Sequence, residues 1–259
     1  MIDAHVHLWR LGEHGCVWPT ADLTAIHRHI ELPELRALAE ANGIDGVVLV
    51  QSQEDIADTE WLLSLADDPL VKGVVGWADF SAPIPSHPAL KGLRPMVQDR
   101  AADWYDEPAL DAGLHAMTRA GLVLDALIRP RHLASLARLA RRHSDLTVVI
   151  DHAAKPVADD LDGWADDLRE IATCPNVSCK LSGLLTEPGI AEAVDRVFDS
   201  VWRAFGPDRL IWGSDWPVLT LAGDYRGWHA EARRLVPVEH HQSVFDGNAR
   251  RLYRLTREE

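Results

Sequence analysis

Short apolar runs rich in β-branched residues alternate along the chain with longer segments in which apolar residues recur every three to four positions. The short runs predict strands, and most are apolar throughout, which is typical of parallel strands buried on both faces. These predicted strands cover residues 2–8, 46–51, 74–79, 92–97, 122–128, 147–152, 177–182 and 209–214. The longer segments predict helices over residues 32–43, 58–68, 107–121, 131–143, 161–172, 187–206, 224–236 and 240–256.

Eight strands alternating with helices in 259 residues predict an α/β protein folded as a (β/α)8 TIM barrel. We expect one domain, residues 1–259, because no linker or low-complexity segment interrupts the pattern. An open doubly wound sheet is the alternative. One crossover departs from the pattern: SAPIPSHPAL, residues 81–90, carries three prolines and cannot hold a full helix. The connection between the third and fourth strands is therefore predicted to be shortened.

Composition narrows the classes of partner. Hydrophobic residues make up 47% of the chain, and 40 acidic against 26 basic residues give a formal net charge of −14. Such a charge argues against a nucleic-acid or anionic-membrane surface, so we expect a small-molecule partner. The three cysteines have no CxxC spacing, and no signal peptide or membrane-spanning run is evident, which predicts a cytoplasmic protein with reduced thiols. The sequence does not indicate an oligomeric state.

Two histidines two positions apart open the first predicted strand. In a TIM barrel the active site lies at the carboxyl ends of the strands, and side chains at positions i and i+2 point to the same side. His5 and His7 should therefore both face the barrel interior, where unpartnered imidazoles would cost several kcal/mol. Hydrogen-bonded core histidines are the alternative interpretation. With His152 and Asp215 also at predicted strand ends, the set instead matches a mononuclear zinc site with room for water.

Two aspartates near these histidines are assigned different roles. Asp215 directly follows the strand LIWGS, which favours a catalytic role over the alternative of a carboxylate that caps the following turn. Asp151 precedes His152, so strand alternation predicts that it points away from the barrel interior if His152 points in. We expect Asp151 at a strand–helix interface or behind the site.

Further polar and aromatic residues are predicted near the same ends. Arg94 could anchor an anion or a polar substrate, or form a surface ion pair. Lys180 could be a catalytic amine, a carbamylated metal bridge, a substrate donor or a structural ion pair. Lys155 could reach a substrate hydroxyl from the loop after His152, or be solvated. Trp77 and Trp216 could stack on the face of a sugar-like ring.

Several segments together resemble the amidohydrolase superfamily, and within it the metal-dependent-hydrolase-like branch of sugar lactonases that includes the L-fuconolactonases and L-rhamnonolactonases. The similarity runs in order over essentially the whole chain. It is carried by IDAHVHLW at the start, LKGLRPM (90–96), GLVLDALIRPRHL (121–133), TVVIDHAAKP (147–156), VSCKLSGL (177–184), RLIWGSDWPV (209–218) and FDGNARRLY (245–253).

The resemblance implies a barrel with a site around His5, His7, His152 and Asp215, and Arg94 as a substrate contact. It implies one divalent metal, Zn²⁺, held by these four residues, or a site that works without metal. A binuclear site is not expected, because the fourth and fifth strands offer neither a further histidine nor a bridging lysine or glutamate.

The leading hypothesis is hydrolysis of a sugar-derived lactone to its hydroxy acid. Asp215 would act as the general base, and His5, His7 and His152 would polarise the carbonyl, through a metal or directly. The predicted substrate contacts are Gln51, Trp77, Arg94, Lys155, Lys180 and Trp216. Two alternatives are a zinc-dependent non-oxidative decarboxylase, with Arg94 holding a carboxylate, and a barrel that binds a ligand without catalysis.

Overall fold

The computed structural model describes residues 1–255, and its eight strands form one parallel sheet in sequence order. The strands are β1 (Ile2–Val6), β2 (Gly46–Val50), β3 (Val71–Gly76), β4 (Leu90–Leu93), β5 (Val123–Ala126), β6 (Val148–Ile150), β7 (Val177–Leu181) and β8 (Leu210–Trp212). The segment after β8 lies along β1, where the N–H of Asp215 donates to the carbonyl of His5 (2.9 Å) and the N–H of His7 to that of Trp216 (2.8 Å). The sheet therefore closes, which confirms the barrel and rules out the open-sheet alternative.

Eight helices accompany the strands in the described residues. They are α1 (Leu32–Asn42), α2 (Ile56–Ser64), α3 (Asp111–Ala120), α4 (Leu133–Arg142), α5 (Leu161–Ile171), α6 (Val194–Phe205), α7 (Tyr225–Leu235) and α8 (Asn248–Leu252). The chain between β3 and β4 holds no helix, which confirms the shortened crossover at 81–90. None of the helices within residues 1–255 is long and apolar enough to cross a membrane.

Two predicted helices are shorter than expected. The helix predicted over 187–206 begins at Val194, because Pro188 and the left-handed Gly189 (φ 72°) form a turn ahead of it. The C-terminal prediction, 240–256, is helical over residues 241–252, with a π-helical turn at residues 243–247 ahead of α8 and a 3-10 turn at residues 238–240 before it. Thr256, the last residue of that prediction, lies outside the described residues.

The barrel has an apolar lower interior and a polar upper one. Strand residues of the lower interior include Ile2, Val48 and Val149, and Tyr253 and Leu255 pack against this cluster. Burying each aliphatic side chain contributes about 1.5–3 kcal/mol. The opposite face of each strand packs on the helices, as Leu136 of α4 and Val197 of α6 show by their complete burial. The apolar cluster thus supports the polar groups above it.

A hydrogen bond from Tyr253 connects the C-terminal segment to the polar interior. Its hydroxyl donates to both carboxylate oxygens of Asp125, at 2.8 and 3.0 Å, and both side chains are fully buried. Asp125 in turn is paired with the ammonium of Lys180. A charge-assisted hydrogen bond therefore connects the segment around Tyr253 to the centre of the barrel.

We predict that Tyr253→Phe lowers the free energy of unfolding by about 1–3 kcal/mol, because a buried carboxylate loses a donor. Tyr105→Phe is the matched control, since the Tyr105 hydroxyl is buried and has no partner among the described residues. Removing that hydroxyl should leave stability unchanged or raise it. Equal losses for the two variants in urea unfolding would contradict this account of Tyr253.

Candidate active site

The four residues predicted to form a metal or catalytic site come together at the carboxyl end of the barrel. Asp215 Oδ1 lies 3.3 Å from His7 Nε2, 3.7 Å from His5 Nε2 and 3.9 Å from His152 Nε2. The two imidazoles of the first strand approach each other at 3.1 Å between their Nε2 atoms. All four side chains are buried, so one carboxylate oxygen faces three ring nitrogens away from bulk water.

A break in the alternation of β1 turns His5 into the barrel. Ile2 and Ala4 face the interior cluster, so strict alternation would place His5 on the outer face. The pairing of β1 with β2 shifts between Asp3 and Val6, and Asp3 Oδ1 accepts from the N–H of His5 at 3.1 Å. An aspartate that bonds the backbone two residues on stabilises a local departure from the strand.

Asp3 also ties β1 to the segment after β8, a role that our sequence reasoning missed. Its Oδ1 accepts from the N–H of Ser214 (2.9 Å) and its Oδ2 from the hydroxyl of Tyr225 (2.8 Å). Burial raises the pKa of Asp3 to about 6, against the lowering effect of these hydrogen bonds. The only signal in the sequence was an aspartate two positions before the first histidine.

The prediction that Asp151 points away from the interior is wrong. Strand β6 ends at Ile150, and Asp151 continues the inward phase of Val149. His152 reaches the same side because it has a left-handed conformation (φ 53°), in a turn where alternation no longer holds. His152 Nδ1 lies 2.9 Å from Ser182 Oγ, and a Cβ on Gly183 would come within 2.3 Å of that ring nitrogen. Glycine is therefore required where the loop after β7 passes this ring.

The contacts of His7 indicate which kind of ligand the three histidines and Asp215 can bind. His7 Nδ1 lies 2.8 Å from the carbonyl of Val50, which can only accept, so this nitrogen carries a proton and Nε2 is the atom turned toward Asp215. His7 Nε2 faces Asp215 Oδ1 at 3.3 Å. Burial acts to raise the pKa of Asp215, but the imidazoles, His152 first, hold it below its usual range, so Asp215 is ionised.

An imidazole nitrogen in contact with a carboxylate needs a proton or a metal ion between the two atoms. Three imidazole nitrogens and one carboxylate oxygen are a donor set typical of Zn²⁺. Burial lowers the pKa of His152 to about 4, and burial together with the Lys180 ammonium lowers that of His5, so both rings are neutral at pH 7, the form that binds metal. The residues present therefore fit a divalent cation.

Behind His5 lies a fully buried cation, Lys180. Its Nζ lies 2.5 Å from Asp125 Oδ2, 2.9 Å from Asp151 Oδ1 and 3.0 Å from His5 Nδ1. The ammonium hydrogen-bonds Asp125 and forms an ion pair with Asp151. His5 Nε2 can bind a metal only when the proton of this ring is on Nδ1, the atom 3.4 Å from Asp151 Oδ1. Burial acts to raise the pKa of Asp151, but Lys180, His5 and Arg94 hold this pKa well below its usual value. At Asp125 the effect of burial is larger than that of Lys180, so the pKa of Asp125 is raised to about 6. Of the roles left open for Lys180, the structure matches the ion pair.

A cavity of about 510 Å³ opens above these groups. Five predicted site residues line it, namely His7, Arg94, His152, Lys155 and Asp215. Residues that our sequence reasoning missed complete the wall, among them Trp18, Gln53, Glu54, Met96, Arg129 and Thr186. These belong to loops after different strands, where no periodic pattern marks them.

Four predicted substrate contacts do not line this cavity. Lys180 lies beneath His5. Gln51 is fully buried: its side-chain Nε2 donates to the backbone carbonyl of Arg94 (2.8 Å), and Arg94 Nη2 donates to the backbone carbonyl of Gln51. Trp216 is buried; its backbone carbonyl accepts from the N–H of His7, and its own N–H donates to Ser214 Oγ (3.0 Å). Trp77 lines a neighbouring cavity of about 260 Å³ with Phe80 and Trp104. The sequence located their strands correctly but not the direction of each side chain.

Comparison with known proteins identifies the family and agrees with the fold. The amidohydrolase family model matches residues 2–255, so the chain belongs to the amidohydrolase family. It is 41% identical to an L-fucono-1,5-lactonase of Burkholderia ambifaria, an alignment that covers 99% of this chain and 96% of the relative. An L-fucono-1,5-lactonase of Burkholderia multivorans is 32% identical, covering 98% and 96%. Among solved structures, an amidohydrolase from Burkholderia multivorans with bound zinc superposes with a TM-score of 0.91 at 31% identity, covering 98% of this chain and 99% of that one.

We predict that Lys180→Met destabilises the protein by about 3–5 kcal/mol, because it leaves buried carboxylates without their cation. The double variant Lys180→Met/Asp125→Asn removes one charge of each sign and should recover much of that loss. Urea unfolding of both variants measures the effect. A single variant as stable as the wild type would contradict the ion-pair role of Lys180.

Proposed function

We propose that this protein hydrolyses a sugar-derived lactone to its hydroxy acid. The observation that carries the proposal is the ionised Asp215 facing three imidazoles at the floor of a cavity of about 510 Å³. The two lactonases that are 41% and 32% identical over almost the whole chain support the same reaction. The partner is then a small neutral molecule rather than a macromolecule.

His5, His7, His152 and Asp215 are the residues that would hold one divalent metal, and Zn²⁺ fits this donor set best. The zinc in a solved structure 31% identical to this chain supports that choice. A bound zinc ion would supply Lewis-acid polarisation of the lactone carbonyl and of water. Lys180 and Asp151, which both approach His5 Nδ1, would fix the orientation of that ring.

Asp215 would carry the proton through the reaction. Its carboxylate takes a proton from the water that attacks the lactone carbonyl carbon, and the ester bond then breaks. The same carboxyl group returns the proton to the ring oxygen as it leaves, so the product is an open-chain hydroxy acid. Because His7 and the backbone bonds after β8 fix Asp215, little reorganisation is needed.

Cations on the cavity wall would bind the substrate oxygens. Arg94 Nη1 lies 3.4 Å from both His5 Nε2 and Asp151 Oδ2, which places its guanidinium beside the reacting carbonyl. Arg129 and Lys155 share the carboxylate of Glu187, at 3.9 and 3.4 Å. Both cations could also donate to ring hydroxyls and to the new carboxylate of the product.

A zinc-dependent decarboxylase is the second candidate, because Arg94 beside the histidines could also hold a substrate carboxylate. It has less support, since the relatives above 30% identity are named lactonases. CO2 release from an unsaturated acid would favour it. Ligand binding without turnover of any lactone would instead favour a non-catalytic barrel.

We predict that Asp215→Asn lowers kcat by roughly two to four orders of magnitude, because the amide cannot accept the proton. The exposed Asp67→Asn is the matched control and should keep wild-type activity. Proton release from a turned-over aldonolactone measures both variants, with circular dichroism as the check on folding. Near-normal turnover by folded Asp215→Asn would contradict the general-base role.

We also predict about one zinc ion per chain, with affinity that falls at least 10-fold in His7→Ala, which loses a metal ligand. Elemental analysis and competition with a chelator measure content and affinity. Activity should disappear on verified metal removal and return with Zn²⁺. Full activity of metal-free protein would contradict the metal role and would leave the imidazoles as direct hydrogen-bond donors.

A further inference from the structure

The long connection between β1 and α1 reaches over the cavity. Within it, the segment Gly12–Trp18 brings Val17 and Trp18 to the cavity wall. Val17 is 84% exposed, and Trp18 is half-buried. Trp18 is therefore the tryptophan on the wall of this cavity, a role that our sequence reasoning gave to Trp77 and Trp216.

One buried amide holds this segment in place. Gln53, in the loop after β2, is 3% exposed. Its Oε1 accepts from the N–H groups of Val17 (3.0 Å) and Trp18 (3.2 Å). Its Nε2 donates to the carbonyl of Trp18 (2.7 Å) and to Ser52 Oγ (3.0 Å).

The Gln53 amide has no hydrogen-bonding capacity left for a substrate. A glutamine side chain accepts two bonds and donates two, and all four are used. Three of the four go to the backbone of Val17 and Trp18. An effect of Gln53 on substrate binding would therefore pass through this segment or through Ser52, which also lines the cavity, and most of the bonds go to the segment.

Two further contacts fix the segment. Gly15 has φ +73°, and a Cβ there would lie 2.3 Å from Asp55 Oδ2, so the backbone packs closely on the start of α2. Trp18 packs edge-on against the fully buried Trp9, with centroids 5.3 Å apart and planes at 71°. This edge-on contact and the Gln53 bonds together fix the direction of the Trp18 ring.

We infer that Gln53 is a positioning residue for Trp18, whose indole packs on the C–H face of the lactone ring. The inference rests on the proposed function and deepens it, because it assigns a ring-binding contact of that reaction. An aromatic ring is suited to the apolar face of a sugar ring, while Arg94, Arg129 and Lys155 remain for the oxygens.

The test is a double-mutant cycle with Trp18→Ala, Gln53→Met and the pair together. Each single change should raise KM for an aldonolactone about 3- to 10-fold with kcat little changed, since a ring contact made before and during reaction is lost. The pair should raise KM no more than Trp18→Ala alone, because Gln53 acts through Trp18. Trp104→Ala, in the neighbouring cavity, is the matched control and should leave KM unchanged.

Independent, multiplying effects on KM in the double variant would overturn the inference, as would unchanged KM in folded Gln53→Met. Calorimetric binding of the corresponding aldonic acid to all four proteins gives a readout without turnover, and the same 3- to 10-fold loss is expected. If the wild-type protein binds the aldonic acid but hydrolyses no lactone, the proposed function is contradicted and the inference about Gln53 is not. The binding cycle would still decide the role of Gln53.

Discussion

The junction between β8 and β1 is the constraint on which the rest of the structure depends. Two backbone hydrogen bonds there, from Asp215 N–H to the His5 carbonyl and from His7 N–H to the Trp216 carbonyl, close the sheet and place the Asp215 carboxylate against the imidazoles. Asp3 reinforces the junction, because one carboxylate bonds to His5, Ser214 and Tyr225. The contacts that close the barrel are thus the contacts that assemble the site, so a substitution that weakens the junction should also disturb the site.

Charge balance inside the barrel is the second requirement. Asp125 and Asp151 would each be costly to bury alone, and Lys180 and Arg94 offset them within the same interior. This arrangement places a cation beside His5 Nδ1 while leaving His5 Nε2 facing Asp215. The upper face of the site is then open to substrate, and the lower face is closed by Tyr253.

The barrel and the four central residues could be predicted because they rest on regular patterns. Parallel strands appear as apolar runs, and strand ends meet at one face, so His5, His7, His152 and Asp215 were expected at the same end of the barrel. His5 nevertheless faces inward only through the break in β1. The predicted side-chain directions were wrong at positions beyond the end of a regular strand. Asp151 continued the strand phase, whereas His152 entered through a left-handed turn that no periodicity shows.

The cavity wall was least predictable, for a physical reason. Trp18 and Gln53 come from loops after two different strands and meet only through hydrogen bonds to backbone groups. Trp77 and Trp216 lay at the expected strand ends, yet packing turned them away from the cavity. A strand pattern specifies where a loop begins but does not specify its course.

The most direct test of the central claim is a proton-release assay of the purified protein over a panel of aldono-1,5-lactones and aldono-1,4-lactones. Dicarboxylate lactones and unsaturated carboxylic acids would complete the panel, with CO2 measured in parallel. The account predicts saturable hydrolysis of at least one neutral aldonolactone well above its spontaneous rate, with no CO2. Absence of any lactone hydrolysis, or CO2 release from an acid, would contradict it.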